Sequence, residues 1–139
     1  MRDLLRNILA TIAGIVVSGV ANMLVLRLGA VVLAPPEGVD IGDVESINAH
    51  IADYPLIHFA PPFLAHALGT LVGAAVATRL AATRGRRPAM VVGVFGLIGG
   101  LAAVALITNA PVWFSATDLA LAYLPMAWLG HRLAVRRED

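Results

Sequence analysis

An all-α fold, a four-helix transmembrane bundle with a short amphipathic helix at its outer end, is what this sequence predicts. Three observations predict it. Residues 7–34, 56–82, 89–110 and 112–134 form four apolar stretches, each long enough to supply the roughly 20 residues a helix needs to cross a bilayer. Hydrophobic residues make up 59% of the chain and charged residues 14%, which leaves too little polar surface for a water-soluble monomer. Nine of the ten arginines lie in three clusters at alternate ends of the stretches, the pattern of a polytopic chain with a defined orientation. A soluble bundle would keep a polar face on every helix, yet residues 90–108 are apolar or glycine until the closing threonine. Water has no face to wet there, so lipid is the expected solvent.

The first span follows Arg2 and Arg6 and stops before Pro35-Pro36, where two consecutive prolines prevent helical continuation. Its apolar run is longer than the core of a secretory signal, so the segment is expected to remain as a membrane helix. Arg27 falls near its far end and is read as snorkelling to the headgroups, because the uncharged run 7–26 already spans the hydrocarbon. In the following loop, residues 35–55, Val44, Ile47, Ile51 and Tyr54 recur at three- and four-residue intervals behind the potential N-cap Asp43. This spacing predicts a short amphipathic helix lying over the end of the bundle.

Pro61-Pro62 suits the first turn of the second transmembrane helix. Residues 83–88 read as a tight basic turn, and Asn109-Ala110-Pro111 as an equally tight turn that makes the last two spans a hairpin. Pro125 lies inside the fourth span, where it removes the hydrogen bond to the Leu121 carbonyl and is expected to kink the helix. Trp113 reads as a member of the interfacial aromatic belt. The whole chain, 1–139, is a single integral membrane domain on this reading.

Arg2 and Arg6, then Arg79, Arg84, Arg86 and Arg87, then Arg132, Arg136 and Arg137 must share one side of the membrane. The positive-inside rule makes that side the cytoplasm, with both termini inside and segments 35–55 and 108–115 outside. The outer loop carries Glu37, Asp40, Asp43, Glu45 and Asp53 without a basic residue. It is either a solvated loop that avoids translocated positive charge or a field that gathers cations at the mouth of a pathway. The expected location is a bacterial inner membrane.

Small residues recur three or four residues apart on the expected packing faces: Gly14 and Ser18 in the first span, Gly69 and Gly73 in the second, Gly93, Gly96 and Gly100 in the third. In lipid, helices associate through van der Waals contact, and small-xxx-small rows let their backbones meet. The partner helix could come from the same chain, a second copy or another membrane protein, and a homo-oligomer or membrane complex is expected. The glycines of residues 93–100 do not form a phosphate loop, because no Lys-Ser/Thr follows them within this apolar span. The chain has no cysteine, which removes disulfides and thiolate chemistry. No cofactor and no nucleic-acid partner are expected.

Polar residues inside the spans carry the functional interest. Asn22 shares a face with Gly14 and Ser18, His66 shares one with Gly69 and Gly73, Asp118 lies about one turn into the fourth span, and Asn109 ends the third. With Glu37 of the outer loop they form a candidate ligand or proton site. His66 has a plainer reading, a neutral imidazole bonded to a carbonyl or to Asn22; Asp118 has one as a helix cap beside Ser115 and Thr117. The functional reading pairs His66 with Asp118 across the bundle, each shifting the other's proton affinity. A metal centre drawn from Glu37, His50, His58, His66 and Asp118 is weak. His58 and His66 lie eight residues apart, about 12 Å along a helix. Neither a His-Glu-x-x-His motif nor a serine nucleophile motif is present.

The run from Phe63 to Gly73, FLAHALGTLVG, and that from Leu121 to Gly130, LAYLPMAWLG, resemble a family of small, uncharacterised four-pass bacterial membrane proteins. With Pro35-Pro36-Glu37-Gly38-Val39-Asp40, the resemblance touches the first, second and fourth spans, and it implies no activity. The size is similar to that of small multidrug transporters and fluoride channels. The chain has neither the first-span glutamate of the former nor the phenylalanine-rich threonine/serine segment of the latter. The expected function is an outward-facing polar site for a small ligand, ion or proton, serving transport or binding. The alternatives are an assembly subunit of a membrane complex, or a metal-dependent membrane enzyme.

Overall fold

The structure is a computed structural model and describes residues 1–83 and 85–136, Arg136 through its backbone alone. Among the described residues every regular element is helical, and four helical segments are long and apolar enough to cross a membrane. Arg84 and Arg137, two of the arginines that orient the sequence, lie outside the described residues.

Helix α1 (Arg2–Val32) starts five residues earlier than the apolar run suggested, since Arg2, Asp3 and Arg6 continue the helix beyond it. It ends where expected. Leu33 is extended, with φ −128° and ψ 90°, two residues before Pro35-Pro36. The loop then forms α2 (Val44–His50), whose N-cap Asp43 accepts a hydrogen bond from the Glu45 amide at 3.1 Å. Two 3-10 turns, Ile51–Asp53 and Leu56–Phe59, lead into α3 (Ala60–Leu80). Pro61 and Pro62 occupy the first turn of α3, where their missing amides cost nothing.

Helix α4 (Arg86–Leu106) begins three residues sooner than predicted and stops four sooner, the chain turning already at Ile107. The fourth span, Val112–Val135, is interrupted where the proline was expected to disturb it. It divides into α5 (Val112–Leu121) and α6 (Leu124–Arg136), with Ala122 and Tyr123 forming a turn between them. Pro125 stands in the first turn of α6, where a proline is tolerated, and the interruption directly precedes it.

The central element is α3, which packs against α1, α4 and α6. Its buried residues are small: Ala65, Ala67, Gly69, Thr70, Gly73, Ala74, Ala77 and Thr78. A methyl group added at Gly14 would come within 2.7 Å of the Ala77 side chain and of the Gly73 carbonyl oxygen, and one at Gly69 within 2.9 Å of the Ser18 carbonyl. The small-residue rows of α1 and α3 thus meet each other inside one chain. The row on α4 serves a second contact: Gly93 faces Ala127 and the Tyr123 carbonyl, while Gly96 and Gly100 face the Tyr123 ring. Close approach is what lets dispersion replace the hydrophobic effect between these helices. The outward surface of α1 is correspondingly apolar, Leu9, Val16, Val20 and Leu28 all being more than half exposed.

At the arginine-rich end, Arg6 Nε donates to the Leu80 carbonyl at 2.9 Å and the Ala82 amide donates to Asn7 Oδ1 at 2.8 Å. The start of α1 thereby satisfies backbone groups around the end of α3 and places a cation at its negative pole. At the opposite end, Asn48 of α2 bridges to the end of α4. Its amide Nδ2 donates to the Leu106 carbonyl at 2.7 Å, and it receives bonds from Asn109 through Oδ1 and its own carbonyl.

Candidate functional site

Two elements remote in sequence build the site. His66 stands on α3 beside the buried Ala65 and Ala67, and Asp118 is the seventh residue of α5, too far into the helix to cap it. His66 Nδ1 lies 2.9 Å from both carboxylate oxygens of Asp118. Tyr123 supplies the third member, its hydroxyl donating to Asp118 Oδ2 at 3.0 Å and its ring lying 5.6 Å from the imidazole at an interplanar angle of 29°. Asp118 is only 4% exposed, so this ionisable group relies on those two side chains for its hydrogen bonds.

The third contact falls at the helix interruption. In a continuous helix, residues five apart point about 140° away from one another; with α5 ending at Leu121 and α6 starting at Leu124, the Tyr123 hydroxyl reaches Asp118 across the interruption. The tyrosine then fills the space left by the α4 glycines. A methyl group at Gly100 would sit 2.6 Å from the Tyr123 hydroxyl, and one at Gly96 would sit 2.9 Å from its ring.

With Tyr123 donating to it and His66 equidistant from both its oxygens, Asp118 acts as an acceptor on every side, the behaviour of a carboxylate. His66 therefore carries its proton on Nδ1 and leaves Nε2 as the acceptor. Asp118 orients the ring and stabilises any charge it takes up, the role a carboxylate plays behind a reactive or ligating imidazole.

His66 and Asp118 line the inner part of a cavity of about 250 Å³ whose walls are otherwise largely apolar, from Leu26 and Ala30 of α1 to Ala103 of α4 and Ile107 just beyond it. Ile47 and Ile51, the apolar face of the short α2 segment and the turn after it, also line the cavity, which stays partly open. Ser115 lines it one turn before Asp118.

The remaining predicted residues go elsewhere. Asn22 lies against Gly69 in the α1–α3 contact. Asn109 is exposed and tied to Asn48, holding the loop to the end of α4, and Glu37 is exposed on that loop; neither lines the cavity. The reading of Asp118 as a helix cap fails on the geometry, since α5 has no side-chain cap and the carboxylate is turned to His66 and Tyr123. Among the described residues, no three His, Cys, Asp or Glu side chains gather in reach of one metal ion. The signal for Tyr123 was present in the sequence: a phenol two residues before Pro125, at the interruption between α5 and α6, is the partner of Asp118. Unforeseen as well is a second internal polar pair, Thr78 Oγ1 and His131 Nδ1 at 3.3 Å, where Thr78 also donates to the Ala74 carbonyl.

Fold and site together define an all-helical, multi-pass bundle of membrane-crossing length with a His–Asp–Tyr cluster at a largely apolar cavity. No family model, no curated protein and no solved structure matches the chain.

Proposed function

We propose that this chain resides in a bacterial inner membrane with both termini in the cytoplasm and presents an outward-facing site for a small ligand or a proton, used for binding or transport. The observation that carries the reading is the His66–Asp118 pair, 2.9 Å apart at the base of a cavity on the side opposite the arginines. An intramembrane carboxylate is costly, and neighbouring small apolar residues could have filled its place; such groups mark pathways and binding sites. The orientation rests on the arginine clusters, Arg2 and Arg6 with Arg86, Arg87 and Arg132 falling at one end of the bundle.

The chemistry follows from the hydrogen bonds. Asp118 holds the Nδ1 proton, so His66 Nε2 accepts a hydrogen bond or a proton from whatever occupies the cavity, and the carboxylate stabilises the imidazolium that forms. Release of that proton resets the site. Purified protein in proteoliposomes, assayed for proton and solute flux, tests the idea: flux lost in His66→Ala and Asp118→Asn supports it, and flux equal to the parent in both overturns a transport role.

The small-residue rows are used within the chain. Association with a second copy or another membrane protein would therefore use the exposed apolar faces of α1 and α4, and no observation favours assembly over ligand binding.

A further inference from the structure

The cavity has a second polar pole. Tyr54 and His58 line it beneath α2, with their rings 6.1 Å apart edge to face. The Tyr54 hydroxyl and His58 Nδ1 are both buried, and neither has a hydrogen-bond partner among the described residues. Buried polar groups are ordinarily paired, so two orphans together on one cavity wall call for a ligand.

The tautomers say what kind. His58 Nε2 lies 3.0 Å from the Ala34 carbonyl, which can only accept, so Nε2 carries the proton and Nδ1 is the acceptor. His66 is fixed in the opposite sense by Asp118, leaving Nε2 as its acceptor. Burial raises the Tyr54 hydroxyl above its ordinary pKa, so it stays protonated and can both give and receive a hydrogen bond. Both poles therefore offer histidine acceptors, eight residues and about 13 Å apart along the 3-10 turn and α3, in a cavity whose other walls are largely apolar. At about 250 Å³ the space is below the roughly 300–1,000 Å³ of drug-sized sites, so its occupant is small or slender.

We infer that the cavity binds a slender, predominantly apolar molecule with a hydrogen-bond donor at each end, one held by His66 and the other by the Tyr54–His58 pair. A hydroxyl is the donor that suits both ends, because it meets an unprotonated imidazole without bringing net charge into an apolar chamber. The inference rests on the cavity being the binding site proposed above, and adds the second pole and the ligand class.

Straight-chain α,ω-diols of increasing length serve as probes, beside 1-alkanols and the dimethyl ethers of the same diols. Binding is followed through the fluorescence of Trp113, whose ring lies 5.2 Å from that of the cavity residue Phe59, with the full chain in lipid nanodiscs. The expected result is saturable binding that peaks at one diol length, about tenfold tighter than the alkanol of that length, with the ether no better than the alkanol. Tyr54→Phe should bring the diol close to the alkanol and leave alkanol binding unchanged. If diols and alkanols bind alike at every length while His66→Ala weakens both, the second pole is overturned and the His66 site stands. If no probe binds saturably, both the second pole and the ligand-binding reading of the cavity are overturned.

Discussion

His66 Nδ1 sits 2.9 Å from both oxygens of Asp118, although 52 residues separate the two in sequence. Because Asp118 is buried, removing either side chain leaves the other without its main partner, and the pair should behave as one energetic unit. His66→Ala and Asp118→Asn are expected to weaken the same ligand-dependent or flux activity, the double variant losing little beyond the worse single one. Unfolding titrations should show a coupling of about 0.5–3 kcal/mol; additive effects in both assays would mean that the contact contributes nothing.

Tyr123 holds the other side of the carboxylate. Tyr123→Phe keeps the ring on Gly96 and Gly100 while deleting the hydrogen bond to Asp118, and should cost about 1–2 kcal/mol of stability. Activity should fall with it, because Asp118 orients His66 less firmly.

Adjacent glycines of α4 give a sharper contrast. A methyl group at Gly100 would collide with the Tyr123 hydroxyl, whereas one at Gly99 would meet nothing within 4 Å. Gly99→Ala is expected to match the parent or gain up to about 1 kcal/mol from helix propensity. Gly100→Ala should displace Tyr123 and lose site function, and equal behaviour of the two variants in thermal melts and binding would contradict the packing described.

In the α1–α3 contact, Gly73 faces the Gly14 backbone and the Ser18 side chain. Gly73→Leu should push the helices apart and destabilise the protein by about 3 kcal/mol or more, while Leu71→Ala should cost less. Detergent stability of the two variants measures the difference, and the reverse order would place the Gly69–Gly73 face toward lipid.

Orientation is open to a direct measurement. On the proposed orientation, a reporter fused at Asp43 should behave as exported and one at Gly85 as cytoplasmic, as the positive-inside rule requires of the arginine clusters. The opposite result at both positions would invert the topology and turn the cavity toward the cytoplasm.

Much of the architecture was legible because it depends on local composition. Four apolar runs longer than a bilayer is thick, the double prolines at 35–36 and 61–62 and the Asp43 cap each act within a few residues; the four spans are present with ends shifted by up to five residues, and the prolines and the cap stand at helix ends as expected. The His66–Asp118 pairing was also readable, since both are ionisable groups at similar depth with few ways to be satisfied except by each other. Asn109 and Glu37 were drawn into the same site on depth alone, and their sideways placement separates them from it: one ties α2 to α4 and the other stands on the exposed loop.

What the sequence by itself determined is the number of spans, their polarity pattern and the residues that had to find partners. Only the tertiary structure decided which partners they found. Depth in the membrane is set by position along a helix, whereas neighbours depend on how each helix is rotated and where it breaks. The interruption at Ala122–Tyr123 accompanies the contact of a phenol with Asp118, and the small-residue rows of α1 and α3 meet while His66 lines the cavity. Such rotations arise from close packing between residues far apart in the chain, which hydropathy does not encode.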